Sequence, residues 1–357
     1  MSLRYAKQIE FHRALFGGEV SPGHGVRVNV PGPADVRVVS QGSVTERIRM
    51  GVAMLEWERH CADAIGDDRV PMAHVWTGTD VFAAAFGSPV HRPADNMPFA
   101  MPAVFTAEEA DALTPPTLDA DSLRTVFALA DGLRAACGDD TPLRIFDIQS
   151  PFDIAALIWR KEAFFVALAD TPDAVHRLLR KVTDTVALGV GAFRDRYPNA
   201  CLVHYPELWM PAEWGICLSE DDVGSISARY FTEFCLPYLQ ALGHQFGGVS
   251  LHCCARSGHQ WQGFRQLPGV RYLNLFSPPV NLEQEIATFS GFAVLTPGPH
   301  ARQSGTFNGH ESYLEMVEDC LRLARPDTRF FFVTEAPTID EAARLVREIK
   351  MLCGRKD

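Results

Sequence analysis

The chain has 357 residues, 47% of them hydrophobic and 22% charged, which suits a large globular core and excludes wholesale disorder. Its formal net charge of −11 speaks against a nucleic-acid binder, which carries a basic stripe, and against a polybasic membrane anchor. No apolar run approaches the ~20 residues of a membrane helix, and the amino-terminal residues lack the order of a secretory signal. The nine cysteines are odd in number, scattered and without CxxC spacing, so a reduced, cytoplasmic setting is expected.

Residues 4–16 can form a short helix, and 16–42 are rich in Gly, Pro and Val, reading as an arm with room for one strand. Residues 43–65 are amphipathic, and Ser43 with Glu46 makes a capping-box start. The first strand is expected at 70–76, ending in Trp76-Thr-Gly-Thr-Asp80, with a short helix over 80–86 stopped by Gly87. Residues 89–116 are dotted with proline and wrap the surface; their apolar part, 89–104, is a candidate homodimer interface. A helix over 118–137 leads to a second strand at 143–148 and its terminal loop Asp147-Ile-Gln-Ser-Pro151. Helices follow at 151–160, 161–169 and 172–196. The third and fourth strands fall at 201–205 and 215–218, and the helix over 227–246 should kink at Pro237. The fifth strand lies in 247–256, the sixth at 270–276, the seventh at 292–296 and the eighth at 329–334. Helices stand between them and over 339–353.

Strands alternating with helices give a (β/α)8 TIM barrel of class α/β with an N-terminal helical/loop extension. The division is 1–66 for the arm and helix packing on the barrel, and 67–357 for the barrel as the single catalytic domain. An open doubly wound sheet would want a glycine-rich first turn opening onto a helix, and the sequence has none.

Chemistry in a barrel sits where strands finish. Alternation in the fifth strand puts His252 and Cys254 on one face and Cys253 on the other. His-x-Cys on one face is a two-ligand grip for zinc, although a free cysteine often merely fills space. The other strand ends offer Trp76, Asp80, Asp147, His204, Glu207, Glu220, Asp221, Asp222, Arg256, His259, Asn274, His300 and Glu335. Asp147 reads equally as the cap of the helix at Pro151, and His204 as a satisfied core histidine. Glu207 and Asp221 read equally as solvated loop charges. Glu335, after an apolar strand, suits a third ligand, and His/Cys/Glu leaves the open position of a catalytic zinc.

Several stretches resemble the uroporphyrinogen decarboxylase superfamily, which includes zinc-dependent methyltransferases that move methyl from a corrinoid to a thiol. They are Asp147-Ile-Gln-Ser-Pro-Phe-Asp-Ile-Ala155, Thr171-Pro-Asp-Ala-Val-His-Arg-Leu-Leu179, Glu220-Asp-Asp222 with Ser227-Ala-Arg-Tyr-Phe-Thr-Glu-Phe-Cys-Leu-Pro-Tyr238, and Leu251-His-Cys-Cys254. Decarboxylases of this group carry an arginine-rich segment after the first strand, where this chain reads Val75-Trp-Thr-Gly-Thr-Asp80; a partly similar run, Arg302 to Gly305, follows the seventh strand instead. The methyltransferases look like His-x-Cys plus a later cysteine, in whose place Glu335 stands.

The resemblance implies a barrel enzyme with zinc at His252, Cys254 and Glu335, no bound organic cofactor, and a corrinoid supplied by a partner protein. Asp222, Glu207, His204 and Asp147 are then the expected acid/base or positioning groups, and Trp76, Asp80, Arg256, His259 and Asn274 line a small-molecule site. The alternatives are a decarboxylase or lyase acting on a small or tetrapyrrole carboxylate, and a non-catalytic tetrapyrrole or small-molecule binding protein.

Overall fold

The fold is that of a computed structural model, which describes residues 3–18, 23–32, 42–93, 96–298 and 310–355. Eleven strands are present among them: β1 Gly25–Asn29, β2 Ala73–His74, β3 Val90–His91, β4 Phe99–Ala100, β5 Leu143–Arg144, β6 Ala200–Cys201, β7 Ile216–Ser219, β8 Val249–Cys253, β9 Tyr272–Leu275, β10 Val294–Leu295 and β11 Arg329–Glu335. His300 and the run from Arg302 to Gly305 lie outside the described residues.

The chain folds as a (β/α)8 barrel, whose eight strands are β2 and β5–β11. β2, β5 and β6 form one parallel sheet, and a second runs in the order β1-β11-β10-β9-β8-β7. The two meet where the Cys217 N–H donates to Leu202 O at 3.0 Å and Gln149 bridges Ser219. β3 and β4 make an antiparallel hairpin within the proline-dotted segment.

β1 is an added strand, drawn from the arm. One edge pairs in parallel with β11, from Gly25 opposite Phe331 to Asn29 opposite Glu335. Its other edge is satisfied mostly by side chains: the Val26 N–H donates to Asp68 Oδ2 at 2.8 Å and the Val28 N–H to Asp67 Oδ2 at 3.0 Å. The Asp68 N–H returns a bond to Val26 O. Two consecutive aspartates thus stand in for a strand ladder and carry the hydrogen bonding on toward β2.

Below, the helix Ala6–Gly17 packs Leu15 and Phe16 against Cys201, Cys217, Tyr272, Val294 and Phe331. The helix expected over 227–246 breaks as its proline dictates, into Ala228–Phe234 and Leu236–Phe246, with Pro237 in the first turn of the second piece. Ser227, not Asp222, caps the first piece by accepting the Tyr230 N–H. The glycine pair before β8 has a steric cause. Gly247 is left-handed (φ 89°), and a Cβ there would lie 2.4 Å from Glu213 O.

Candidate metal centre at the barrel mouth

Register brings the site together. β7 pairs with β8 so that Ser219 lies opposite His252. Two residues further along each strand, Asp221 comes beside Cys254, and Asp221 Oδ1 accepts the Cys254 N–H at 2.6 Å. Ligand atoms of Asp221, His252 and Cys254 all lie within 4.8 Å of one another. One oxygen, one nitrogen and one sulfur make a three-ligand set of the kind that holds a catalytic zinc. The Asp221 loop is held from beneath: buried Asp153 accepts the N–H of Asp221 at 2.7 Å and of Asp222 at 3.1 Å.

The electrostatics favour the protonated thiol. Burial, and then the charge and hydrogen bond of Asp221, push the Cys254 thiol up to about 12. A thiolate beside a carboxylate is stable at neutral pH only when a positive charge joins them. Cys254 is exposed and reachable, whereas Cys253 is fully buried behind the strand.

His252 presents one defined nitrogen. Its Nδ1 lies 2.6 Å from Asn274 Oδ1, and Asn274 Nδ2 donates to Thr296 O at 2.7 Å. A backbone carbonyl can only accept, so the Thr296 bond fixes the amide with Oδ1 toward the imidazole. Nδ1 must then carry the proton, and Nε2 keeps the lone pair that a metal uses. Burial also lowers the imidazole pKa and keeps it neutral. The Tyr205 ring meets the imidazole edge-on at 4.5 Å. Asn274→Leu is expected to weaken zinc binding roughly 10–100-fold without unfolding the barrel. Chelator competition on the purified variant checks this, and unchanged affinity would contradict it.

Asp147 and His204 lie beside this group. Asp147 Oδ1 stands 3.9 Å from His204 Nε2, which is 3.0 Å from the Ser219 hydroxyl. Ser150 rather than Asp147 caps the helix at Pro151. Burial pushes the Asp147 carboxyl up to about 6, against the bond from Gln149 and the field of His252. A carboxyl with a raised folded pKa costs stability once it ionises. That cost is absent below pH ~4 and is fully present above pH ~6. Asp147→Asn is therefore expected to stabilise the protein at pH 7 by about 1–2 kcal/mol, discounted because the side chain is 23% exposed, and to change little at pH 4. Urea unfolding at the two pH values measures the difference.

Other expected residues go elsewhere. Glu207 joins a network below the mouth: its Oε2 accepts Asn29 Nδ2 at 3.0 Å and lies 3.2 Å from Arg27, and its Oε1 is 3.8 Å from Arg144. Those cations outweigh burial and hold its carboxyl below the usual range. Trp76 lies tilted against His74, ring centroids 4.1 Å apart, and shares a small cavity with Arg27, Arg144 and Glu207. Asp222 is taken by Lys161 at 2.8 Å. His259 Nε2 lies 2.8 Å from Ile226 O, and Arg256 is exposed. Asp80 is buried in a separate pocket beside Thr77, whose hydroxyl accepts the Asp147 N–H. Asn274 reaches His252 rather than open space. Glu335 is exposed at the end of β11, where its charge reaches Tyr205, and it is not among the converging donors. Asp221 is the third converging donor, and Asp153 behind it was not anticipated.

A (β/α)8 barrel with polar groups gathered at the carboxyl ends of its strands is the architecture of many enzymes. The family model described as uroporphyrinogen decarboxylase (URO-D) matches residues 33–288, and the chain belongs to that family. Among solved structures it is similar to a methyltransferase from Methanosarcina mazei (TM-score 0.69, 13% identity, 96% of this chain and 98% of that one). A B12-independent methionine synthase from a Shewanella species, in complex with selenomethionine, gives a TM-score of 0.48 at 10% identity, over 93% of this chain and 96% of that one. No curated protein matches. At these identities the likeness is one of fold. Among the described residues no helix is long and apolar enough to cross a membrane.

Proposed function

We propose that the protein is a zinc-dependent methyltransferase that moves a methyl group from a corrinoid, carried by a separate protein, to a small thiol. The observation that carries this reading is the convergence of Asp221, His252 and Cys254 at the mouth. Zinc bound there supplies Lewis-acid stabilisation of the acceptor as a thiolate near neutral pH. Asn274 orients His252 through Nδ1, and Asp153 holds the loop that carries Asp221. Asp147, with its carboxyl near 6 and His204 beside it, is the group that takes the acceptor proton. Transfer would form the C–S bond of the product, the donor protein's corrinoid keeping the electron pair of the carbon–cobalt bond that breaks. Tyr205 covers the imidazole and narrows access for water.

A decarboxylase or lyase is the second reading. It is favoured by the same Asp147–His204 pair, which can deliver a proton to a carbanion without a metal. The two readings separate in one experiment on protein purified without a metal-affinity tag. Zinc is counted in the wild type and in Cys254→Ser, and thiol-dependent loss of methyl from methylcobalamin is followed optically. About one zinc per chain, lost in the variant together with the reaction, is the expected result. Metal-free wild type that turns over would overturn the mechanism.

A further inference from the structure

A cavity of about 230 Å³ opens beside the mouth, between the loop after β2, the β3–β4 hairpin and the first turn of the helix Asp121–Cys137. Two arginines from different elements line it. Arg47 is buried, and one guanidinium nitrogen donates to Trp76 O at 2.6 Å. Arg92 comes from the hairpin with its side chain 56% exposed, and among the described residues Asp80 pairs with it at 3.9 Å, an ion-pair distance but beyond hydrogen-bond reach. Of the described acidic side chains in the wall, Asp121 is taken by Arg124, and Asp80 faces Arg92. The wall hydroxyls are committed: Ser122 donates to Val81 O and Thr125 to Asp121 O, each at 2.8 Å. Gly78 keeps the hairpin close, since a Cβ there would lie 2.3 Å from Pro98 O.

We propose that this pocket binds a carboxylate of the substrate, with Arg92 and Arg47 as its cationic walls. Its position ties it to the reaction. Thr77, in the wall, accepts the Asp147 N–H at 3.1 Å, so the pocket and the proton-handling pair share one residue. A molecule anchored by its carboxylate here can extend its other end toward Asp221, His252 and Cys254. The substrate class is a short mercapto acid. The thiol end rests on the proposed methyl transfer; the acid end does not. Arg92 supplies donors in the planar fork that matches a carboxylate, and its long contact to Asp80 leaves those donors able to turn to a ligand.

The test is calorimetric titration with mercapto acids from mercaptoacetate to 5-mercaptopentanoate and with the matching mercapto alcohols. Wild type, Arg92→Gln and Thr125→Glu are compared, the last adding a repelling charge without removing an arginine. At least one acid is expected to bind wild type roughly tenfold or more tighter than its alcohol. Both variants should lose that preference while zinc content and alcohol affinity stay unchanged. The preference should also survive in chelator-treated wild type, because the pocket does not use the metal. Zinc-loaded wild type that binds acids and alcohols alike, or a preference that persists in both variants, would overturn the pocket. Wild type that contains no zinc as purified, yet prefers the acids, would overturn the zinc reading and leave the pocket standing.

Discussion

Asp221→Ala is expected to strip the metal from the protein, whereas Glu335→Gln leaves it bound. Removing Asp221 deletes the oxygen donor and releases the Cys254 N–H that it accepts at 2.6 Å, so the sulfur loses its anchor as well. Losing an orienting partner alone costs roughly 10–100-fold in metal affinity, and losing a ligand costs more. Glu335 is exposed at the end of β11 and does not belong to the converging group. Chelator competition on both variants gives the comparison. If Glu335→Gln loses zinc and Asp221→Ala keeps it, the third ligand has been misassigned.

Arg69→Met is expected to cost about 3–5 kcal/mol of stability, the usual result of leaving one partner of a buried ion pair uncompensated. Arg69 and Asp67 are almost fully buried, and the guanidinium Nε and Nη2 lie 2.8–3.0 Å from the Asp67 oxygens. Arg69 also donates to Val28 O, so the pair holds the free edge of β1. An exposed pair such as Arg160–Glu162 is worth at most about 1 kcal/mol, which makes Arg160→Met the control. Adding Asp67→Asn to Arg69→Met should recover part of the loss, because the orphaned charge goes with it. Urea midpoints measure all three. Equal midpoints for Arg69→Met and Arg160→Met would show that β1 does not depend on this pair.

The barrel was legible because its strand and helix periods alternate along the chain. So were His252 and Cys254 on one side at the end of β8 and the break at Pro237. Asp221 was harder. It stands in a run of three acids, Glu220 to Asp222, and choosing the one that faces Cys254 needs the register of β7 against β8, a non-local pairing. Asp153 was hidden by its position in the first turn of a helix, where an acid reads as a favourable end residue. Glu335 suits a ligand by pattern because the strand before it is apolar, yet β1 pairs beside it and the donors that converge are Asp221, His252 and Cys254. β1 itself was only half visible. Its second edge is completed by aspartate side chains, which no strand pattern announces.

Zinc-edge X-ray absorption on the untagged wild-type protein tests the metal centre most directly. The expected spectrum has one sulfur at about 2.3 Å and nitrogen or oxygen neighbours at about 2.0–2.2 Å. The sulfur should disappear in Cys254→Ser and the light-atom shell should thin in Asp221→Ala. Protein without zinc, or zinc with no sulfur neighbour in the wild type, would contradict a centre built from Asp221, His252 and Cys254.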